Sequence, residues 1–189
     1  MSPKERLLKY LEHLDQIFGM EPLFFPFKEL LDDGPEILCL VYRDCPEVGH
    51  LTGVTFGLSE ASHEDWVRSR PELMISVKSK DVAWALAAAE LVRQLRGQCP
   101  FCYGDVIGFG DQVSEESKMS AFFVFAPSIF DAKFVQNIDI GGRPISINGL
   151  YPIYESEREV IAQIGLEKFW HHRNFDLYDV TRPAVTVDE

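Results

Sequence analysis

Residues 52–84 read TGVTFGLSEASHEDWVRSRPELMISVKSKDVAW, and their order decides the class of fold. Thr52 to Phe56 mixes β-branched and aromatic residues and reads as a strand, which Gly57 interrupts. From Glu72 to Lys78 the apolar Leu73, Ile75 and Val77 alternate with Glu72, Met74 and Ser76. That period of two predicts a second strand with one apolar face. An acidic loop lies between the two. Asp81 is placed to cap a helix over Val82 to Leu95, and Gly97 follows its end. Val82 to Ala89 carries no charge, so this helix is expected to lie between other elements rather than on the surface.

Towards the N-terminus, Glu36 to Arg43 has apolar residues at both parities, with Ile37, Cys39 and Val41 on one face and Leu38, Leu40 and Tyr42 on the other. It reads as an inner strand covered on both sides. Asp32-Asp33-Gly34-Pro35 reads as a turn, and Leu23 to Phe27, broken by Pro26, as an apolar loop against the core. Ser2-Pro3-Lys4-Glu5 has capping-box spacing, and Leu7, Leu8, Leu11, Leu14, Ile17 and Phe18 recur at helical period up to Gly19.

Towards the C-terminus, Gln98 to Gly110 is a glycine-rich loop with room for a short strand at Val106 and Ile107. An acidic connection, Asp111 to Lys118, leads to the apolar strand Ser120 to Ala126. Phe134 to Ile140 and Arg143 to Leu150 flank Gly141-Gly142 as a hairpin. Ser156 and Glu159 repeat the capping-box spacing before a helix that Gly165 ends, and Leu166 to Arg173 reads as a short helical piece. The pattern predicts an α+β fold, with a mixed, mainly antiparallel sheet packed with helices in a single domain over residues 1–175. Residues 176–189 lack periodicity and read as a partly mobile tail. Phe123, Phe125, Leu73, Ile75, Leu86 and Trp84 are the expected core.

Acids outnumber bases 30 to 18, giving a formal net charge of −12. This argues against nucleic acid, whose binding draws on clustered Lys and Arg, and suits a basic protein partner. No uncharged run is long enough to span a membrane, and the charged N-terminus does not read as a signal peptide. A cytoplasmic protein is expected, with no membrane partner.

No catalytic signature appears. GxSxG and HExxH are absent, Gly104 to Gly110 lacks the Lys of a phosphate-binding loop, and His171 and His172 are adjacent and point apart on a helix. His63-Glu64-Asp65 reads as solvated loop rather than an acid–base cluster. Cys99-Pro100-Phe101-Cys102 follows a helix instead of opening one, the wrong placement for a redox pair. Cys39, Cys45, Cys99 and Cys102 are read as structural thiols, with zinc ligation as the alternative. No cofactor is expected. The carboxylates Glu60, Glu64, Asp65, Asp111, Glu115 and Glu116 form two acidic loops, which are solvated surface or a docking face for a basic partner.

Thr55-Phe56-Gly57-Leu58-Ser59, then Arg70-Pro71-Glu72-Leu73, then Trp84 at the start of an Ala-rich helix, together resemble the suppressor-of-fused domain family. Ile147 to Phe169, with Pro152, Glu155, Glu157 and Gly165, is similar to that family's closing strand and helix, so the resemblance covers residues 36–170. It implies protein binding and no chemistry assignable to particular positions. Animal members bind and restrain a transcription factor and carry a second C-terminal domain for which this chain is too short. The resemblance therefore implies a stand-alone, bacterial-type member: a non-enzymatic immunity or regulatory protein that neutralises a partner, such as a basic toxin domain, by direct binding. An enzyme whose site is not readable from sequence and a zinc-stabilised regulatory module are the alternatives.

Overall fold

A computed structural model describes residues 1–27 and 36–187. The strands are β1 (Leu23–Phe27), β2 (Ile37–Arg43), β3 (Leu51–Phe56), β4 (Arg70–Val77), β5 (Val106–Gly108), β6 (Ala121–Phe125) and β7 (Ile145–Ile153). The helices are α1 (Pro3–Phe18), α2 (Ala83–Leu95), α3 (Ala132–Val135), α4 (Glu155–Ile164) and α5 (Leu166–Trp170). The strands form one sheet in the order β1-β2-β3-β4-β7-β6-β5. Only β4 and β7 run parallel; the other neighbours are antiparallel. The expected α+β class and mainly antiparallel sheet are what the chain adopts. Asp32 to Pro35, read as a turn, lies outside the described residues.

Strand alternation sorts the core onto two sides of the sheet. Ile37, Cys39, Val41, Leu73, Ile75, Val77, Phe122 and Val124 are buried on the side covered by α2. Leu38, Leu40, Tyr42, Val54 and Met74 are buried on the other side, against Tyr10, Leu14 and Phe18 of α1. Further along that side, Ala121, Phe123, Tyr151 and Ile153 pack under α4 and α5. The chargeless start of α2 is thus explained: Trp84, Ala85, Ala87, Ala88 and Ala89 are all buried. Ala85 lies so close to β3 that a methyl group built on Gly53 would sit 2.5 Å from its Cβ and 2.9 Å from its Cα. Among the described residues, no helix is long and apolar enough to cross a membrane.

Several local expectations change. Leu23 to Phe27 is an edge strand rather than a loop, and Pro26 is tolerated there because an edge strand leaves one side of its backbone unpaired. The hairpin expected across Gly141-Gly142 is reduced to a single bridge between Ile138 and Ile145. Residues 132–135 instead form a helical turn, and Asn137 has φ +54°, which breaks the ladder. Helix α2 begins at Ala83, so Val82 and not Asp81 holds the cap position, and Asp81 accepts from Ala83 N at 3.0 Å from one residue further out. Helix α4 starts before Ser156, and Glu157, not Glu159, accepts from the backbone at its start, from Tyr154 N at 2.9 Å.

Of the expected core, Phe123, Leu73, Ile75 and Trp84 are fully buried, whereas Phe125 and Leu86 are half-buried. Packing also continues past residue 175. Arg182, 4% exposed, forms a two-pronged ion pair with buried Glu157, with Nη1–Oε1 at 2.5 Å and Nη2–Oε2 at 2.8 Å. Val185 N donates to the same carboxylate at 2.7 Å, and Val180 and Val185 are buried.

Phe123 meets the rings of Tyr151, Phe169, Trp170 and Phe175 with centroids 5.1–6.0 Å apart. Phe123→Ala is expected to lower the unfolding free energy by about 3–5 kcal/mol, and half-buried Phe125→Ala by less, as read by denaturant titration. Gly53→Ala is expected to cost about 1–3 kcal/mol, because the added methyl must push α2 off β3. A loss below about 0.5 kcal/mol at Gly53 would show that the helix does not rest there.

Candidate functional site

The connection from β3 to β4 comprises residues 57–69, and a single carboxylate fixes its start. In β4, Leu73, Ile75 and Val77 face α2, so the alternating position Glu72 points to the α1 side, where it is fully buried. Its Oε1 accepts from Gly57 N and Ser59 N, each at 2.9 Å, and from Ser59 Oγ at 2.7 Å. Oε2 accepts from Thr55 Oγ1 at 2.7 Å and from Leu58 N at 3.4 Å. Thr55 Oγ1 in turn accepts from Leu73 N at 2.9 Å. Gly57 has φ +121°, and a Cβ there would lie 2.9 Å from Glu36 O, so only glycine suits this corner. The two segments Thr55 to Ser59 and Arg70 to Leu73 are therefore one structural unit.

Burial pushes the Glu72 carboxyl up from 4.5 to about 7, against the opposing pull of the Ser59, Thr55 and Gly57 donors.

Beyond this knot the loop is pinned from several directions. Arg96 Nη1 donates to Gly57 O at 2.9 Å and Arg70 Nη1 to Ser59 O at 3.0 Å. The Trp66 indole is buried and donates from Nε1 to Pro100 O at 2.7 Å. Arg143 Nη1 donates to Trp66 O at 2.8 Å. On the α2 side, the loop borders a cleft of about 320 Å³ lined by Asp65, Trp66, Val67, Arg68, Cys102 and Tyr103, among others. Val67 is 80% exposed and Tyr103 44%. Ser69, Ser146 and Asn148 also line it, so the cleft is mixed in polarity, and it carries one acid and one base, Asp65 and Arg68. A second cleft of about 310 Å³ lies between α1 and the β1 edge, lined by Leu11, Met20, Phe24 and Tyr42 together with Asp15 and Glu21.

The six acidic candidates do not form one surface. Glu60 is committed to Arg6, with Oε1 2.7 Å from Nε, and its side chain is only 12% exposed. Glu116 accepts from Trp84 Nε1 at 2.7 Å and from Ser79 Oγ, which ties its loop to the start of α2. Glu64, Asp65, Asp111 and Glu115 are exposed. The first acidic loop sits where Arg96 ends α2, and the second where Asp81 and Trp84 begin it. Thirteen helical residues, about 20 Å, separate them. Of the six, only Asp65 lines the 320 Å³ cleft, and Glu64 precedes it in the chain.

The cysteines are dispersed. Cys39 is buried on β2, donates to Ala85 O at 3.2 Å, and has its thiol pushed up to about 12 by burial. Cys45 is buried, and Cys99 and Cys102 are half-buried. Burial, with Asp105 nearby, raises the thiols of Cys99 and Cys102, which opposes thiolate formation. Among the described residues, no three His, Cys, Asp or Glu side chains are grouped to hold a metal.

Sequence reasoning passed over Glu72 as a working residue and did not connect Glu157 to Arg182. The available signal was a lone acid inside an otherwise apolar strand. A carboxylate there needs buried donors, and the nearby Thr55, Gly57 and Ser59 supply them.

Glu72 makes stability depend on pH. With a folded value of about 7 above an unfolded 4.5, its contribution is complete below 4.5 and is lost as pH rises through about 7. Glu72→Gln places an amide NH₂ against donors and is expected to lower the unfolding free energy by about 1–3 kcal/mol. The advantage of wild type over the variant should shrink between pH 5 and 8 in parallel denaturant titrations, by about the amount the linkage relation gives. An advantage that grows over that range would contradict the raised value.

A sequence model of the suppressor of fused protein (SUFU) family matches residues 33–183. No curated protein matches the chain. The fold is similar to the crystal structure of a SUFU homolog from Neisseria gonorrhoeae, with TM-score 0.67, 16% identity and 94% of each chain covered. It is similar to Drosophila Suppressor of Fused, with TM-score 0.64 and 17% identity over 94% of this chain and 50% of that one. It is also similar to a chain of a Sufu–Fu complex, with TM-score 0.63, 16% identity and coverage of 92% and 89%. At these identities the likeness is one of fold, whereas the family model spans most of the sequence: this chain belongs to the suppressor of fused family.

Proposed function

We propose that this chain is a non-enzymatic protein-binding domain that neutralises or regulates a partner by occupying its working surface, and that the partner is a basic toxin domain. The observation that carries the reading is the 320 Å³ cleft beside the fixed 57–69 loop, where exposed Val67 and Tyr103 share the lining with Asp65 and Arg68, and exposed Glu64 precedes Asp65 in the chain. Apolar anchors give such a surface its affinity, and the acids, with the net charge of −12, accelerate the approach of a basic partner. The solved Sufu–Fu complex supports protein binding as what a domain of this fold does. The one strongly perturbed carboxylate among the described residues, Glu72, is closed off by its five donors and lines none of the clefts described above, which favours binding over acid–base catalysis.

This reading favours the first of the two acidic loops, whose Asp65 lines the cleft. Glu64→Lys with Asp65→Lys should slow association with a basic partner by about tenfold or more at low salt and flatten its salt dependence. Asp111→Lys with Glu115→Lys, at the other end of α2, should leave the on-rate within about threefold of wild type. Surface plasmon resonance against a purified basic nuclease toxin domain tests both. Failure of wild type to bind that domain would remove the immunity reading. Equal on-rates for wild type and both charge-reversed forms would move the binding face to the apolar cleft and free edge at β1.

A further inference from the structure

Helix α1 carries a second apolar stripe that the core does not use. Tyr10, Leu14 and Phe18, four residues apart, are buried against the sheet. Leu8 and Leu11 lie beside them at helical spacing; Leu11 is half-buried and Leu8 is 53% exposed. Past Gly19, Met20 and Phe24 are 39% and 51% exposed. Leu11, Met20 and Phe24, with Tyr42, line the cleft of about 310 Å³ between α1 and β1. None of its lining residues belongs to the cleft at the 57–69 loop.

The charged groups of this second cleft are all acidic. Its lining includes Asp15 and Glu21 and no Lys, Arg or His. Both acids are exposed, and among the described residues neither is held in an ion pair. Asp15 lies in the last turn of α1, which contains no basic residue, and Glu21 follows just past Gly19. The C-terminal end of a helix carries the negative pole of its macrodipole, so carboxylates there are repelled and a cation is favoured.

The adjoining edge of β1 is short of donors. Pro26 is in register with Leu38 although it has no N–H, so Leu23, Phe25 and Phe27 carry the ladder bonds to β2. Phe24 and Pro26 therefore turn their backbone groups outward, offering two carbonyl oxygens but one N–H. Among the described residues no strand pairs on that side. Such an edge is a poor template for another strand and a good acceptor for side-chain donors. A second copy of this chain is disfavoured as the occupant, because a symmetric contact would set Asp15 and Glu21 against their own counterparts.

We propose that the α1–β1 cleft docks a basic segment of a partner protein. Its apolar side chain is seated among Leu11, Met20 and Phe24, and its Arg or Lys side chains meet Asp15, Glu21 and the outward carbonyls of β1. Arg is the better fit, since its fork donates to carboxylate and carbonyl together and its plane stacks on an aromatic ring such as Phe24. This surface does not rest on the cleft at the 57–69 loop, and the two are tested apart.

The full chain is titrated at low salt with three capped peptides, Arg-Leu-Arg-Leu-Arg, Arg-Ser-Arg-Ser-Arg and Glu-Leu-Glu-Leu-Glu. Calorimetry and backbone amide NMR shifts are the readouts. The first peptide should bind saturably, with Kd below about 1 mM, and shift the amides of Leu11, Asp15, Met20 and Phe24. Exchanging leucine for serine should weaken binding by about fivefold or more, and the glutamate peptide should not bind. Asp15→Lys with Glu21→Lys should weaken the first peptide by about tenfold or more, and Phe24→Ser by about fivefold. These positions are exposed, so the variants should keep a Tm near wild type. Glu64→Lys with Asp65→Lys, at the other cleft, should leave the amide shifts in place. No saturable binding of the first peptide, shifts confined to other residues, or equal affinity in wild type and Asp15→Lys with Glu21→Lys would overturn the site. So would a wild-type dimer that Phe24→Ser dissociates, which would make a second copy the occupant.

Discussion

The carboxylate of Glu72 is the constraint on which the rest of this architecture depends. It stands where β4 begins, fully buried, and gathers donors from Thr55, Gly57, Leu58 and Ser59 at the end of β3. Two antiparallel neighbours are usually tied together by their ladder and a tight turn. Here thirteen residues separate them, from Gly57 to Ser69, and ladder bonds alone would leave the loop ends free. A buried carboxylate replaces the turn. Its desolvation is offset only if every donor is present, which makes the arrangement all-or-none and the exit path of the chain singular.

With its start fixed, the loop is clamped again by the Trp66 indole on Pro100 O and by Arg143 on Trp66 O. A rigid loop presents side chains at small entropic cost, which is what a binding surface requires. Its two sides differ in chemistry. Towards α2 it borders a cleft with Val67, Tyr103, Asp65 and Arg68; towards α1 its Glu60 meets Arg6.

The far end of the sheet is secured by the same device in a charged-pair form. Glu157 at the start of α4 holds Arg182 and Val185 N, so the last segment lies over α4 and the aromatic group around Phe123. Arg182 also sits 4.8 Å from the centroid of the Phe175 ring. Breaking such a pair by removing one member would strand a buried charge, whereas the pair itself adds specificity of position more than stability.

The sequence by itself determined the class of fold, the strand faces and the buried helix, because these follow from short-range periodicity. Ile37, Cys39 and Val41 face α2, while Leu38, Leu40 and Tyr42 face α1, as the alternation dictates. The uncharged run at Trp84 to Ala89 foretold its burial, and the order of Gly57, Leu58, Ser59, Pro71, Glu72 and Leu73 carried the family. Where partners lie far apart in the chain, the pattern was silent. Arg6 meets Glu60 and Gly141 across 54 and 135 residues, and Arg182 meets Glu157 across 25. Local composition made Glu60 and Glu116 look like solvated acids, yet Arg6 and Trp84 claim them. Nor did spacing show that the two acidic loops stand at opposite ends of α2. The expected hairpin failed for the same reason, since Val135, Ile138 and Ile140 are drawn into the packing beneath α1 instead of a ladder. Periodicity reports which face is apolar. Which charge answers which is decided only when the folded sheet brings distant segments within hydrogen-bond reach.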